Sequence, residues 1–320
     1  MNKILAVNKS RLLVKNKSFI NRNLKEIKKS KYLLLLMLPG MTYFLLFKYG
    51  PLYGILLAFK EFDPSLGIIG SPWVGLKYFN TLFNTSYIWT VVGNTFKISI
   101  LKIIIGFPAP IIFALLLNEI TKERFKRMVQ TISYLPHFLS WVVVSGLVFQ
   151  LVSPSYGIYG YICKIMGIKA AVLLGDSNSF ITILIASDLW KEVGYASVLY
   201  LAAIVGINSE LYEAAKIDGA SRLKQAFYVT LPGILPTVAI LFVLRLGHIL
   251  DAGFEQIFNM YNPIVMKSVD VIDTYVYRIG LENFQYSFST AVGLTKSLVA
   301  LLLVLGGNWL VGKFSETSIW

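Results

Sequence analysis

Cysteine and histidine are almost missing from this chain of 320 residues. Cys163 is the only cysteine, which excludes an intramolecular disulfide framework and a cluster of thiolate metal ligands. His137 and His248 are the only histidines, and neither belongs to a metal-binding motif. The sequence also lacks the patterns His-Glu-x-x-His, Gly-x-Ser-x-Gly and Gly-x-Gly-x-x-Gly. These absences argue against a metalloenzyme, a serine hydrolase of the common type and a dinucleotide-binding protein.

Charged residues are also scarce. Lys, Arg, Asp and Glu make up 15% of the chain, whereas soluble domains carry roughly 25%. Hydrophobic residues make up 56%, and the mean hydropathy is +0.64. These values predict an integral membrane protein with room for about six spans of roughly 20 residues each. The apolar runs that we assign to the spans are residues 33–59, 88–117, 131–152, 179–205, 233–254 and 288–311.

The positive charge is concentrated near one end of the chain. Residues 1–31 contain ten Lys or Arg side chains and one acid, whereas the rest of the chain has a net charge of +4. Because basic residues accumulate on the cytoplasmic side of membranes, we predict a basic cytoplasmic tail (1–31) and a transmembrane domain (32–320). The apolar composition predicts an all-α fold with six transmembrane helices, and the charge bias places both termini in the cytoplasm. The tail indicates contact with the lipid bilayer and no nucleic-acid partner.

A polar segment, 206–232, separates the fourth and fifth predicted spans. Residues 213–217 favour a short helix, and Gly219 either ends that helix or lets another surface approach. Pro232 is typical of the first turn of a new helix. The second helix of the segment is predicted from apolar residues at four-residue spacing, which are Leu223, Phe227 and Leu231.

The pattern from Glu213 to Pro232 resembles the EAA signature of ABC-importer permeases (EAA-x3-G-x9-I-x-L-P), with Val229 in place of isoleucine. The resemblance implies that segment 206–232 forms a cytoplasmic coupling helix seated in a cleft of an ATPase. Segments similar to the LplB/YtcP-like branch of the carbohydrate (maltose-type) permeases are 134–141, 190–194, 253–257 and 273–277. The residues assigned to ATPase coupling are Glu213, Ala214, Ala215, Asp218, Gly219, Arg222 and Pro232.

The resemblance also implies partners and a location. These are a second homologous permease subunit, two cytoplasmic ATPase subunits and an extracytoplasmic solute-binding lipoprotein, in a bacterial cell (plasma) membrane. ATP and magnesium would be bound by the ATPase, so this chain is expected to carry no cofactor and to be a transport subunit, not an enzyme. Residues 307–313 fit only part of a phosphate-binding loop, because Phe314 replaces the hydroxyl residue that binds magnesium.

Charged side chains within membrane spans are costly and usually face a cavity or a partner. One interpretation is structural pairing, of Asp188 with Lys191 and of His248 with Asp251. The other is a translocation path in which aromatic rings stack on a sugar and polar groups bind its hydroxyls. The path residues predicted in the fourth and fifth spans are Trp190, Lys191, Glu192, Tyr195, Arg245, His248 and Asp251.

The predicted function is therefore import of an oligosaccharide by alternating access. The predicted spans contain six basic residues and three acids, and this excess favours an anionic, uronate-containing sugar. A permease for a non-sugar solute, such as a peptide, is one alternative. A membrane-embedded enzyme that uses Asp188, Glu192 or Asp251 as an acid or base is the other.

Overall fold

The structure is a computed structural model that describes residues 30–314, with the side chains of residues 30–309. The predicted basic tail, apart from its last two residues, lies outside the described residues. The described chain is mostly helical and contains no sheet, and its isolated antiparallel bridge joins Lys60 and Trp73. The main helices are α1 (Lys31–Phe59), α2 (Lys77–Asn84), α3 (Ser86–Asn118), α4 (Glu123–Phe138), α5 (Trp141–Val152), α6 (Ile158–Ile165), α7 (Ser177–Val205), α8 (Ser209–Ile217), α9 (Arg222–Gly247), α10 (Phe254–Met260), α11 (Ile272–Tyr277) and α12 (Tyr286–Phe314). Shorter helical turns lie at Gly67–Gly70, Leu173–Gly175, Met266–Val269 and Arg278–Glu282.

Four of these helices, α1, α3, α9 and α12, are long and apolar enough to cross a membrane. Two bent pairs, α4 with α5 and α7 with α8, raise the number to six if each pair counts as one span. The all-α class predicted from composition is therefore confirmed, with four to six candidate spans.

The chain divides into two compact units, Met1–Leu56 and Leu57–Trp320. Within the described residues, the first unit consists of α1 up to Leu56, and none of these residues is buried. Its exposed surface is rich in Leu, Phe and Tyr, as expected of a helix that faces lipid.

The second unit packs around three apolar clusters. The first joins α3, α5 and α7 to residues 252–271, and includes the fully buried Phe180 and Ile257. The second joins α2, α3, α11 and α12, and the third joins α3, α7 and α9. Helices α3 and α7 contribute to more than one cluster, so they form the scaffold on which the other helices are placed.

The third predicted span, 131–152, is wrong as a single helix. The chain bends by 105° between α4 and α5. Leu139 and Ser140 are extended, with ψ of 139° and 153°, and the Ser140 hydroxyl accepts a hydrogen bond from the amide of Val143. Pro136 tightens the last turn of α4, and the serine cap begins a new helix immediately afterwards. We call residues 135–140 the elbow.

The fifth predicted span, 233–254, is also shifted. The regular α-helix begins at Leu231, with Pro232 in its first turn as predicted, but it continues without a break from the helical residues that begin at Arg222, and it ends at Gly247. A widened turn at Ala226–Thr230 precedes the proline, and the amide of Leu231 donates to the carbonyl of Ala226. Proline normally clashes with the carbonyl four residues earlier, and the widened turn lets the helix continue through it.

An ion-pair network fixes the segment between α10 and α11 against α3. Asp270 is fully buried and accepts hydrogen bonds from the Tyr87 hydroxyl (2.8 Å), the Thr274 hydroxyl (2.7 Å) and the guanidinium of Arg278 (3.2 Å to Nη1). The hydrogen bond to Asp270 raises the pKa of Arg278 above its ordinary value. A buried carboxylate with this many donors is fully compensated.

Replacing Asp270 with Asn is expected to destabilise the protein by about 3–5 kcal/mol, because it leaves the largely buried Arg278 without a counterion. The melting temperature of the purified protein in detergent measures this loss. The matched control is Glu61→Gln, which breaks an exposed ion pair to Lys77 (3.0 Å) and should cause no measurable shift. Equal melting temperatures for the two variants would contradict the assignment.

Candidate functional site

A cleft of about 390 Å³ opens between α3, α5, α7 and α9. Its volume lies at the lower end of the range for small-molecule sites, roughly 300–1,000 Å³. The cleft wall combines aromatic, charged and small apolar side chains. Its aromatic and charged residues are Phe107, Trp141, Asp188, Glu192, Tyr200 and Arg245.

Asp188 is held in the wall of the cleft by a cation on another helix. The ammonium group of Lys102, which is buried, donates to Asp188 Oδ1 (2.9 Å) and to Gln256 Oε1 (2.6 Å). Gln256 in turn donates to the carbonyl of Leu184 (2.7 Å). The predicted pairing of Asp188 with Lys191 is therefore wrong, because Lys102 of α3 is the partner of Asp188.

Glu192 is the second acid of the cleft, and it is held by the elbow. Its Oε2 lies 2.8 Å from Nδ1 of His137, and its Oε1 lies 3.2 Å from the Lys191 ammonium. The same ammonium donates to the backbone carbonyl of His137 (2.6 Å). Tyr195 stacks on the His137 ring with centroids 3.9 Å apart and the planes 5° from parallel. This contact set joins α7 to the elbow, and it keeps Lys191 buried and out of the cleft lining.

Gly194 lets α7 approach the end of α4 closely. A Cβ atom built at this position would lie 2.2 Å from the carbonyl oxygen of Ser133. The helix contact is therefore made backbone to backbone, one turn away from the bonds between Lys191, Glu192 and His137. The close packing fixes the elbow relative to the cleft.

Trp190 does not lie in the cleft. It lines a separate, mostly apolar groove of about 580 Å³ with residues of α5 and α6. Asp188 and Glu192 are four residues apart and share one helix face, whereas Trp190 lies halfway between them in sequence and on the opposite side. The spacing alone predicts this separation, and the cleft receives Trp141 from α5 instead.

Arg245 is the charged residue of the cleft without a partner in the described part of the chain. Among residues 30–309, no side chain or carbonyl accepts a hydrogen bond from its guanidinium. Asp188 and Glu192, the two acids in the same wall, are already paired with Lys102, Lys191 and His137. The cleft therefore offers an exposed cation to a ligand.

His248 and Asp251 form a second cluster beyond the end of α9. Their predicted pairing is confirmed, with His248 Nδ1 3.0 Å from Asp251 Oδ2. Lys296 of α12 also donates to Asp251 Oδ1 (2.6 Å) and to Asp273 Oδ1 (2.6 Å). The chain does not bring this cluster into the lining of the cleft. Within the described residues, no group of three or more His, Cys, Asp or Glu is arranged to hold a metal ion.

Segment 206–232 forms a helix–turn–helix unit with a defined turn. α8 ends in a turn in which the amide of Gly219 donates to the Lys216 carbonyl (3.0 Å) and the amide of Ala220 donates to the Ala215 carbonyl (2.8 Å). Gly219 has φ +74°, which glycine adopts without steric cost. The prediction that Gly219 ends the helix is confirmed. The second helix is the first part of α9 and not a separate element.

The unit is braced internally and exposed externally. The hydroxyls of Tyr212 in α8 and Thr230 in α9 are 2.9 Å apart, and the Gln225 amide donates to the Ala220 carbonyl (2.8 Å). The guanidinium of Arg222 lies 3.4 Å from the carbonyl of Glu119, so this predicted coupling residue has a partner in its own chain. Of the predicted coupling residues, Ala215 is half-buried and the others are exposed, namely Glu213, Ala214, Asp218, Gly219, Arg222 and Pro232.

The surface around this turn carries large apolar side chains without a cover. They protrude from both α8 and α9, and the exposed fraction reaches 86% for Ile217 and 79% for Tyr228. They form an exposed apolar surface on the helix–turn–helix unit. The apolar residues are Leu211, Ile217, Leu223, Phe227 and Tyr228.

Comparisons with known proteins agree with this architecture. Residues 106–316 match the family described as binding-protein-dependent transport system inner membrane component. The chain is 43% identical over 290 residues to the polygalacturonan/rhamnogalacturonan transport system permease protein YteP of Bacillus subtilis (strain 168), covering 91% of this chain and 90% of YteP. It is 40% identical over 293 residues to protein LplB of the same organism, covering 92% of each chain.

Two solved structures share the fold. A chain of a bacterial ABC transporter that imports the acidic polysaccharide alginate has a TM-score of 0.85 and 41% identity, covering 92% of this chain and 99% of that one. The same coverage and TM-score, with 40% identity, are found for the bacterial alginate ABC transporter in complex with an alginate pentasaccharide-bound periplasmic protein. The chain thus belongs to the binding-protein-dependent transport system inner membrane component family, and it is an ABC-transporter permease subunit, not an enzyme.

Proposed function

We propose that this permease forms half of the pore of an importer for an acidic oligosaccharide. The observation that carries the proposal is Arg245, the cation in the cleft without a partner among the described residues. A guanidinium binds a carboxylate through two parallel hydrogen bonds, and a uronate ring supplies one carboxylate per sugar. The relatives named above include permeases or transporters of polygalacturonan, rhamnogalacturonan and alginate, which supports the same ligand class.

The proposed assembly follows the resemblance in the sequence. A second permease completes the pore, two ATPase subunits bind ATP and magnesium on the cytoplasmic side, and an extracytoplasmic binding protein delivers the sugar. The uncovered apolar surface on α8 and α9 is the proposed ATPase contact, with Glu213, Asp218 and Gly219 at its centre. Because the unit is braced by Tyr212, Thr230 and Gln225, it transmits a push as a rigid body. Both chain termini are proposed to lie in the cytoplasm of a bacterial cell.

A peptide as cargo is disfavoured by the cleft itself. Both cleft acids are already paired within the chain, so little of their negative charge is left to attract the amino groups of a peptide. The exposed cation, in contrast, attracts a negative charge. An acid–base role for Asp188, Glu192 or Asp251 is likewise disfavoured, because each carboxylate is held by a Lys or His partner.

Uptake by the complete importer in proteoliposomes tests the ligand class. Uronate oligomers are compared with carboxyl-reduced oligomers of the same length, so the substrates differ only in charge. The wild-type importer is expected to prefer the acidic form by about tenfold or more, as one charge-assisted hydrogen bond contributes roughly 1.5–3 kcal/mol. Arg245→Gln is expected to remove most of this preference.

The matched control is Lys97→Gln, which removes an exposed cation of α3 that does not line the cleft. The control should keep the preference for the acidic oligomer. Equal wild-type uptake of the acidic and reduced forms would refute an acidic cargo. A preference that survives Arg245→Gln unchanged would show that the selectivity lies elsewhere in the importer.

A further inference from the structure

We infer that Trp141 is a sugar-binding residue of the cleft and provides the aromatic surface on which one pyranose ring of the transported oligosaccharide stacks. The inference rests on the proposed function as far as the ligand is a sugar. It replaces Trp190, which lies in a different groove, as the aromatic residue of the path.

Trp141 is placed in the cleft by the elbow. It is the first residue of α5, directly after the capping residue Ser140, and it is half-buried. Part of its side chain packs against the largest apolar cluster, and another part lines the cleft together with Glu192 and Arg245. The 105° bend brings this ring to the face of α7 that carries the cleft acids.

The ring is held in position before any ligand arrives. The ammonium group of Lys191 lies 5.5 Å above the centre of the Trp141 ring and covers one face. Lys191 is itself fixed, because it donates to the His137 carbonyl (2.6 Å) and lies 3.2 Å from Glu192 Oε1. Lys191 is buried and does not line the cleft, whereas Trp141 does. The part of the Trp141 ring that Lys191 does not cover therefore lines the cleft. A fixed aromatic side chain binds with little loss of conformational entropy.

The groups around Trp141 match the parts of an acidic sugar ring. A pyranose has an apolar face of C–H groups, which suits an indole surface, and hydroxyls around its edge. Asp188 Oδ1 accepts from Lys102, whereas no described side chain donates to Asp188 Oδ2. That oxygen is available to a hydroxyl, and the Arg245 guanidinium is available to the carboxylate. The cleft thus combines a ring platform, a hydroxyl acceptor and an anion-binding group.

The test compares three variants of the complete importer in proteoliposomes. The binding protein is loaded with sugar and added at a saturating concentration. Trp141→Leu keeps an apolar side chain of substantial size but removes the ring. Trp141→Phe keeps an aromatic face, and Trp190→Leu removes the other tryptophan of this region. The readouts are sugar uptake per ATP hydrolysed, the ATPase rate and the melting temperature.

Trp141→Leu is expected to lower uptake per ATP by about fivefold or more, as aromatic stacking of this kind is lost. Trp141→Phe should restore most of the uptake, and Trp190→Leu should behave as the wild type. The ATPase rate and melting temperature should stay close to wild type in all three. Unchanged uptake in Trp141→Leu would overturn the inference, as would an equal loss of uptake, ATPase rate and melting temperature, which would indicate a structural role.

Failure of this inference is distinguishable from failure of the proposed ligand class. Stacking acts on the sugar ring and not on its charge, so the Trp141 variants are measured with both the acidic and the carboxyl-reduced oligomer. A loss of uptake with both substrates supports stacking on Trp141, even where the wild type shows no preference for the acidic oligomer. A wild-type preference for the acidic oligomer together with normal uptake in Trp141→Leu rejects stacking on Trp141 but leaves the acidic ligand class standing.

Discussion

Replacing Gly219 with Val is expected to reduce uptake by about tenfold or more, because the left-handed conformation costs an L-residue roughly 1–2 kcal/mol. The cost is higher for a β-branched side chain. Gly219 has φ +74° and donates its amide to the Lys216 carbonyl, so a shift in this residue reorients α8 relative to α9. Membrane insertion should be normal, because the turn lies outside the long apolar helices. The measurements are membrane abundance, uptake and ATPase activity of the assembled importer.

Gly219→Asn is the control for conformation. Asparagine is the residue most often found in place of glycine at this helix-ending position, and a Cβ atom here meets nothing within 4 Å. The Asn variant should therefore retain most of the uptake. Full uptake in the Val variant would refute a role for the turn geometry. An equal loss in Val and Asn would assign the effect to the exposed surface of Gly219 instead of its backbone conformation.

Replacing Gly194 with Ala is expected to lower the melting temperature by roughly 2–5 °C, since overpacking costs about 1–3 kcal/mol. The new Cβ atom would lie 2.2 Å from the Ser133 carbonyl oxygen, and backbone atoms cannot rotate away. α7 must then separate from α4, which also lengthens the bonds from Lys191 and Glu192 to His137. Uptake should fall together with stability.

Gly93→Ala in α3 is the matched control for this prediction. Both glycines lie inside helices, where alanine is the better helix former, but a Cβ atom at Gly93 meets nothing within 4 Å. The control should be as stable as the wild type or more stable. A melting temperature for Gly194→Ala that equals that of Gly93→Ala would contradict the close contact with Ser133.

The sequence was sufficient for the parts of the fold that depend on local composition. Apolar runs predict the helices because a membrane span must satisfy its own backbone groups, and the structure places long helices at five of the six runs. The turn at Gly219 was also predictable from local sequence, because it depends on one residue type in one backbone conformation. The break in 131–152 was not predicted, although Pro136 and Ser140 mark it.

Contacts between helices were less predictable. Asp188 and Lys191 are neighbours in sequence, yet Asp188 pairs with Lys102, which lies 86 residues away. Sequence spacing cannot identify Lys102 as the partner, because the pairing depends on how α3 and α7 cross. Trp190 is different, since its position between Asp188 and Glu192 already assigns it to another helix face. Applying helical periodicity to that one turn would have separated Trp190 from the cleft.

The elbow constrains the order in which the chain is built into the membrane. α5 has 12 residues, a length of about 18 Å at 1.5 Å per residue, whereas the hydrocarbon core is about 30 Å thick. α5 is therefore too short to cross on its own, and the backbone carbonyls that the elbow leaves without a helical partner need partners other than lipid.

One of these partners comes from a helix that is synthesised later. The carbonyl of His137 accepts its hydrogen bond from Lys191 in α7 (2.6 Å), which follows the elbow by about 50 residues in sequence. A nascent chain that ends before α7 leaves this carbonyl unpaired. We therefore expect the elbow to reach its final packing only after α7 has been synthesised.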